Sequence, residues 1–286
     1  MRLRTAKPLD AANLVLFADT HFGCQMGLCP TGGVALDAGG RYRPTRFQRK
    51  LARWWREFWE EWVPSVTEGE PYAVINDGDT LDGRHHGATT QWSQNIADQY
   101  KAALEMVTPV AEGARCGYFH LRGTDAHGGI EGEYEEMLAR ALGAVPNAEG
   151  QYARQELWKT VVRGRNRRII HVTHHIGVTG SQQYESTAVH KEHVAAYVEA
   201  AQWGHKPPDM IVRAHRHRYF RTEPASDKEG NLSFVLPGWQ GKTGFIYRTG
   251  SRQSQPQFGG AVVRISMAGE LYMRRWLRTL TPAKPE

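Results

Sequence analysis

Five short stretches of this sequence place aspartate and histidine where they could share metal ions. They are Asp19-Thr20-His21, Asp77-Gly78-Asp79 with Asp82, Asp125 with His127, His174-His175, and His215-Arg216-His217. Carboxylate oxygen is a hard ligand and imidazole nitrogen a borderline one, so the mixture suits Mn, Fe, Zn or Ni better than Ca or Mg. Singly the signals are weak, because an Asp-x-His or His-x-His pair is common in surface turns. Their shared position gives them force. Each follows an apolar or β-patterned run: residues 13–17, 72–76, 117–121, 168–173 and 210–212. Such runs read as buried strands, and the carboxyl ends of strands in an α/β sheet converge on one crevice. Stretches far apart in sequence are therefore expected to meet.

The elements between them are legible by the same periodicity. Over 46–63, Leu51, Trp54, Trp55, Phe58, Trp59 and Trp62 recur at three- and four-residue spacing, which predicts an amphipathic helix. Its tryptophans are expected in the core, not as a platform for bases. Further helices are expected over 91–111, 133–142 and 185–203, the last closed by Gly204 and Pro207-Pro208. Gly164-Arg165-Asn166 between runs 157–162 and 168–173 reads as a hairpin turn. Beyond Tyr219, strands at 233–236, 260–266 and 271–276 alternate like a β meander. The glycine-rich stretch 22–42 reads as a long loop of the kind that serves sites. His120 and His171 are expected to be structural, and His190 and His193 solvated. The pattern predicts an α/β sandwich whose second sheet is mostly antiparallel. One domain is expected over 1–286, with a motif core at about 14–220 and a β-rich part at 221–278.

Composition narrows the function classes. Hydrophobic residues make up 40% and charged residues 23%, an ordinary globular balance that argues against disorder. No apolar run is long enough to span a bilayer, so no membrane partner is expected. The basic start Met1-Arg2-Leu3-Arg4 is followed by Lys7-Pro8-Leu9-Asp10 instead of an apolar segment, so no signal peptide is expected. Three cysteines, Cys24, Cys29 and Cys116, argue against a disulfide framework and fit free thiols in a reducing, cytoplasmic setting. The net charge of +6 favours polyanions such as nucleic acid as much as it fits a plain soluble surface.

In this order the motifs resemble the calcineurin-like metallophosphoesterase family, in the form seen in phage and prophage members. The family's Asp-x-His stands as Asp19-Thr20-His21 and its Gly-Asp-x-x-Asp as Gly78-Asp79-Thr80-Leu81-Asp82. Gly123-Thr124-Asp125-Ala126-His127 takes the place of its Gly-Asn-His element. A histidine follows at His174, and Ala214-His215-Arg216-His217 replaces its Gly-His-x-His. The resemblance implies a metallophosphoesterase-type β-sandwich of two mixed sheets flanked by helices. It implies two divalent metal ions (Mn, Fe, Zn or Ni, with Mn favoured) and a hydroxide held between them as nucleophile. Asp19, His21 and His217 would hold the first metal, Asp79 would bridge, and His174 and His215 would hold the second. His127 would sit at the leaving group and Asp82 behind a metal-bound histidine.

Two departures follow. The family's asparagine is replaced in line by Thr124, although Asp125 has the better oxygen donor and is favoured as ligand. Ala214 stands for a glycine, which is tolerable unless that position needs positive φ. Of His174 and His175 the family order favours the first. Arg84-His85-His86, after the Asp82-Gly83 turn, is either a donor cluster for substrate phosphate or a polar loop. The expected function is a phosphodiesterase or nuclease acting on DNA or RNA. The alternative is a phosphatase for a small-molecule or protein phosphoester. Oligomeric state is open.

Overall fold

The computed structural model describes residues 7–85, 89–177, 184–222, 231–248 and 255–280. The chain opens with β1 (Leu9–Asp10) and β2 (Asn13–Phe17), then a small hairpin of β3 (Val34–Ala35) and β4 (Arg41–Tyr42). Helix α1 (Arg46–Arg56) starts at Thr45, whose side chain accepts from the Gln48 amide while Gln48 reaches back, a capping box. One π-helical turn, Glu57–Trp62, leads into α2 (Val63–Thr67). Then come β5 (Tyr72–Asn76), α3 (Ile96–Gly113), β6 (Tyr118–Leu121), the one-turn α4 (Asp125–Gly128) and α5 (Glu133–Ala141). The second half holds β7 (Ala153–Arg154), β8 (Leu157–Arg163), β9 (Asn166–Val172), α6 (Glu185–Trp203), β10 (Met210–Arg213), β11 (Phe220–Thr222) and β12 (Leu232–Val235). It closes with α7 (Gly244–Arg248), β13 (Gln257–Ile265) and β14 (Leu271–Thr279).

Two six-stranded sheets result, ordered β14-β13-β2-β5-β6-β7 and β1-β8-β9-β10-β12-β11. Both are mixed. In the first, β2, β5, β6 and β7 run parallel and β13 and β14 antiparallel. In the second, β1 with β8, β9 with β10, and β10 with β12 are parallel. The expectation of a mostly antiparallel second sheet is thus corrected. The meander is corrected too. β12 joins the second sheet beside β10, whereas β13 and β14 cross to the first, where β13 pairs with β2 and β14 with β13. Alternation along a strand reports a half-buried face, not the sheet to which the strand belongs.

Side-chain alternation builds two cores from β2 alone. Leu14 and Leu16 face the space between the sheets with Ile75, Phe119, Val212 and Phe234. Val15 and Phe17 face outward against Leu51, Trp55, Phe58 and Val107 of the helices. The tryptophan stripe accordingly packs in the core. On the other side, α6 lays Ala188 and Val189 over Val235. The layers are helix, sheet, sheet, helix. α3 begins at Ile96, not near 91, because the Asn95 side chain caps it by accepting from Ala97 N at 3.0 Å. His193, expected in solvent, is buried and lies 2.7 Å from Ser233 Oγ. His120 is buried as expected, 2.5 Å from Glu135.

Candidate metal centre

The loops after β2, β5, β6, β9 and β10 meet at one edge of the sandwich. Asp19 and Asp79 are buried, as are His21 and His174. Their backbones are unusual. Among the described residues seven non-glycine positions have positive φ, and five of them are Asp19, His21, Asp79, His215 and His217. That conformation costs on the order of 1–3 kcal/mol each and persists where surrounding structure enforces it, typically at functional sites. Ala214 is not among them, so alanine serves there without strain. Close approach explains two glycines. A Cβ on Gly123 would lie 1.9 Å from Asp79 Oδ1, and one on Gly238 would lie 2.8 Å from His217 Cγ.

Four overlapping groups of ligand atoms are drawn together: Asp19, His21 and His217; His21, Asp79 and His127; Asp79, His174 and His215; and Asp82, His85 and His127. Around Asp19 Oδ1 stand His217 Nε2 at 3.2 Å, His174 Nε2 at 3.7 Å and His21 Nε2 at 3.8 Å. Yet this buried oxygen forms no hydrogen bond. His21 Nε2 and His217 Nε2 are 3.3 Å apart, the spacing of two imidazole nitrogens each about 2.0–2.1 Å from one tetrahedral ion. His174 Nε2 lies 3.0 Å from Asp79 Oδ2. Donor types, burial and spacing therefore fit divalent metal ions.

The supporting contacts fix each ring. His174 Nδ1–H donates to the Asp77 carbonyl, leaving Nε2 for the cluster. His21 Nδ1 faces Asp82 Oδ1 at 3.3 Å, which turns its Nε2 toward Asp19. Asp82 also accepts from Gln91 Nε2 at 2.8 Å and Gln240 Nε2 at 3.3 Å, with His85 Nε2 at 3.2 Å. His127 Nδ1 donates to the Asp82 carbonyl at 2.7 Å, and its ring meets that of His21 edge-on at 4.5 Å.

Electrostatics follow from burial among opposite charges. Burial alone would raise Asp19 and Asp79, but His217 and His174 beside the first, and His174 beside the second, hold both carboxyls well below the usual range. Burial would lower His21, but Asp19 and Asp82 push it up to about 10. Burial, with His174 near, lowers His215 to about 4. Burial also lowers His127. Asp77 is fully buried, both its carboxylate oxygens lack a hydrogen-bond partner, and burial pushes it well upward.

Of the sequence candidates, Asp19, His21, Asp79, Asp82, His85, His127, His174, His215 and His217 come together. Asp125 does not. It is exposed on α4 and outside every group, because the one-turn helix aims it at solvent. Thr124 is the residue at Asp79, with its amide 2.7 Å and its Oγ1 3.1 Å from Asp79 Oδ1. His175 is exposed while His174 is buried. Arg84 is exposed and donates its Nε–H to the Gln94 carbonyl at 2.7 Å. His86 lies outside the described residues. Sequence reasoning missed Gln91 and Gln240. Gln240 follows Pro237-Gly238 at the end of β12, and that strand-end position was the available signal.

The fold and site together define an α/β sandwich with a crevice of Asp and His side chains at its strand ends that could hold metal ions. No protein-family model matches the chain, and no curated protein does. Among solved structures, Chaetomium thermophilum Vps29 is similar at 10% identity and TM-score 0.38 over 94% of this chain and 99% of that one. A phosphatase from Mycoplasma pneumoniae is similar at 9% identity and TM-score 0.43, over 95% and 94% of the two chains. At such scores neither likeness bears on the chemistry argued here, which rests on this chain's own residues. Among the described residues no helix is long and apolar enough to cross a membrane.

Proposed function

We propose that this chain is a two-metal phosphoesterase of the calcineurin-like kind, and that it cleaves phosphodiesters of nucleic acid. The observation that carries the reading is the adjacency of two ligand groups, Asp19–His21–His217 and Asp79–His174–His215, with His174 Nε2 3.7 Å from Asp19 Oδ1 between them. These residues would hold two divalent ions, which would supply Lewis acidity toward phosphate oxygens and lower the pKa of water from about 15.7 to near 7. The mixed oxygen and nitrogen set favours Mn or Fe over Mg.

The chain's own residues hold and move protons around that centre. Thr124 orients the Asp79 carboxylate, and the Asp77 carbonyl orients His174. Asp82 orients His21 and, through its carbonyl, His127. With Nδ1–H on that carbonyl, His127 offers Nε2 as proton carrier to the leaving oxygen. Burial keeps the free ring neutral, and a phosphate anion beside it raises its proton affinity. The net charge of +6 supports a polyanionic substrate. The test is turnover of a chromogenic phosphodiester with Mn²⁺, abolished by chelation, beside single- and double-stranded DNA, RNA and small phosphomonoesters. No turnover with Mn, Fe, Co, Ni or Zn overturns the enzyme reading. Monoester turnover alone overturns the nucleic-acid part.

A further inference from the structure

We propose that α6 is the interface of a homodimer, pairing antiparallel with α6 of a second copy of this chain. The inner face of the helix is committed: Ala188, Val189, His193 and Ala200 are buried toward the second sheet. The opposite face carries exposed apolar side chains between charged and polar ones. Val194 is 44% exposed and Val198 50% exposed, with Tyr184 at 56% at the start of the helix and Trp203 at 75% at its end. Among the described residues ten large hydrophobic side chains are exposed, and these four are on α6 or its cap. Val194, Val198 and Trp203 line one shallow groove, so these three form a patch and not scattered singletons.

The charges along this face identify the occupant. Lys191 and Glu199 border a shallow groove with Val194, Ala195 and Val198. They lie four residues to either side of Ala195. A two-fold axis at Ala195 therefore sets Lys191 of each copy against the partner's Glu199, twice, with the valines between. Self-complementarity of this kind is what an isologous interface requires. Among the described residues neither Lys191 nor Glu199 is held in an ion pair within its own chain. Ala195 at the centre is small enough for close helix approach. α6 has 19 residues, about 28 Å of helix at 1.5 Å per residue. One such pair buries less than the roughly 1,200–2,000 Å² of a standard complex, which points to a weak dimer.

The experiment is sedimentation velocity of the full chain from low to high micromolar concentration. Wild type is expected to pass from monomer to dimer, with a midpoint that rises with salt. Val198→Glu, Lys191→Glu and Glu199→Lys are each expected to be monomeric, with circular dichroism and phosphoesterase turnover unchanged. An equimolar mixture of Lys191→Glu and Glu199→Lys is expected to form heterodimers, because both cross-pairs are then of opposite charge. The double swap Lys191→Glu/Glu199→Lys is expected to dimerise by itself. A wild type that stays monomeric, or a dimer that survives Val198→Glu, overturns the interface. Should Val198→Glu fail to fold, the charge pair decides. Single swaps that remain dimeric, or a mixture and double swap that do not reassociate, overturn the antiparallel register and with it the proposal.

Discussion

Asp79 and Asp82 stand three residues apart and differ in what touches them. Asp79 faces His174 and is held by Thr124 between two ligand groups. Asp82 is ringed by Gln91, Gln240, His85 and His21. Losing a residue that only orients a ligand costs roughly 10–100-fold in activity or metal affinity. Asp82→Asn is therefore expected to lose activity in that range, and Asp79→Asn to lose more than that, with metal content falling in both. Equal losses in folded variants would contradict the assignment. His127→Ala is expected to keep its metal and lose rate, most on substrates with basic leaving groups. A nitrophenyl ester should suffer less than an alkyl ester, and an even loss on both would remove the acid role. Asp125→Ala, exposed and outside the groups, should leave metal content unchanged.

The cysteines give a residue-scale prediction in pH. Burial pushes the Cys24 and Cys29 thiols up to about 12, from 9.0 unperturbed. Thiolate is the reactive form, so at pH 8 iodoacetamide should label half-buried Cys116 first and the other two only after unfolding. Between pH 9 and about 12 the unfolded chain has lost protons that the folded chain keeps. Stability should therefore fall as pH rises through that window, measured by urea unfolding at stepped pH.

At the scale of elements, α5 supports the centre from behind. Its Glu135 is buried and accepts from Thr80 N at 2.8 Å while lying 2.5 Å from His120 on β6. One carboxylate thus ties a helix and a strand to the loop that carries Asp79. Glu135→Ala leaves a buried amide and a buried imidazole without their partner, at about 1–3 kcal/mol for each group. We expect urea unfolding to report a loss of a few kcal/mol and metal content to drop with it. A variant as stable as wild type would show that the tie is dispensable.

At the scale of the whole molecule, the centre draws ligands from both sheets. Asp19 and Asp79 follow strands of the first sheet, and His174, His215 and His217 follow strands of the second. Metal bound there would stabilise the sandwich as a unit, by about 2.7 kcal/mol at a free ion concentration of 100 Kd. Thermal unfolding should shift upward with Mn²⁺ and fall back with chelator, and the shift should vanish in Asp79→Asn. A Tm insensitive to every divalent ion would be incompatible with a site that spans both sheets.

The sequence alone determined the ligands' chemistry and the elements that carry them. Helix 185–203, the hairpin around Gly164 and the strands before each motif are local matters of periodicity, capping and turn chemistry. The tertiary structure decided what depends on partners remote in the chain. Thr124 and Asp125 are one residue apart, and only the one-turn α4 determines that Thr124 meets Asp79 while Asp125 meets water. Adjacent His174 and His175 were separated only by the cluster that one of them faces. Alternation at 260–266 was legible as a strand. That it pairs with β2 instead of following β12 in its sheet came from long-range packing of two cores, which no local pattern encodes. Gln240 reaches Asp82 across 158 residues of sequence for the same reason. A side chain's partner is set by where the loops are carried, and the sheets carry them.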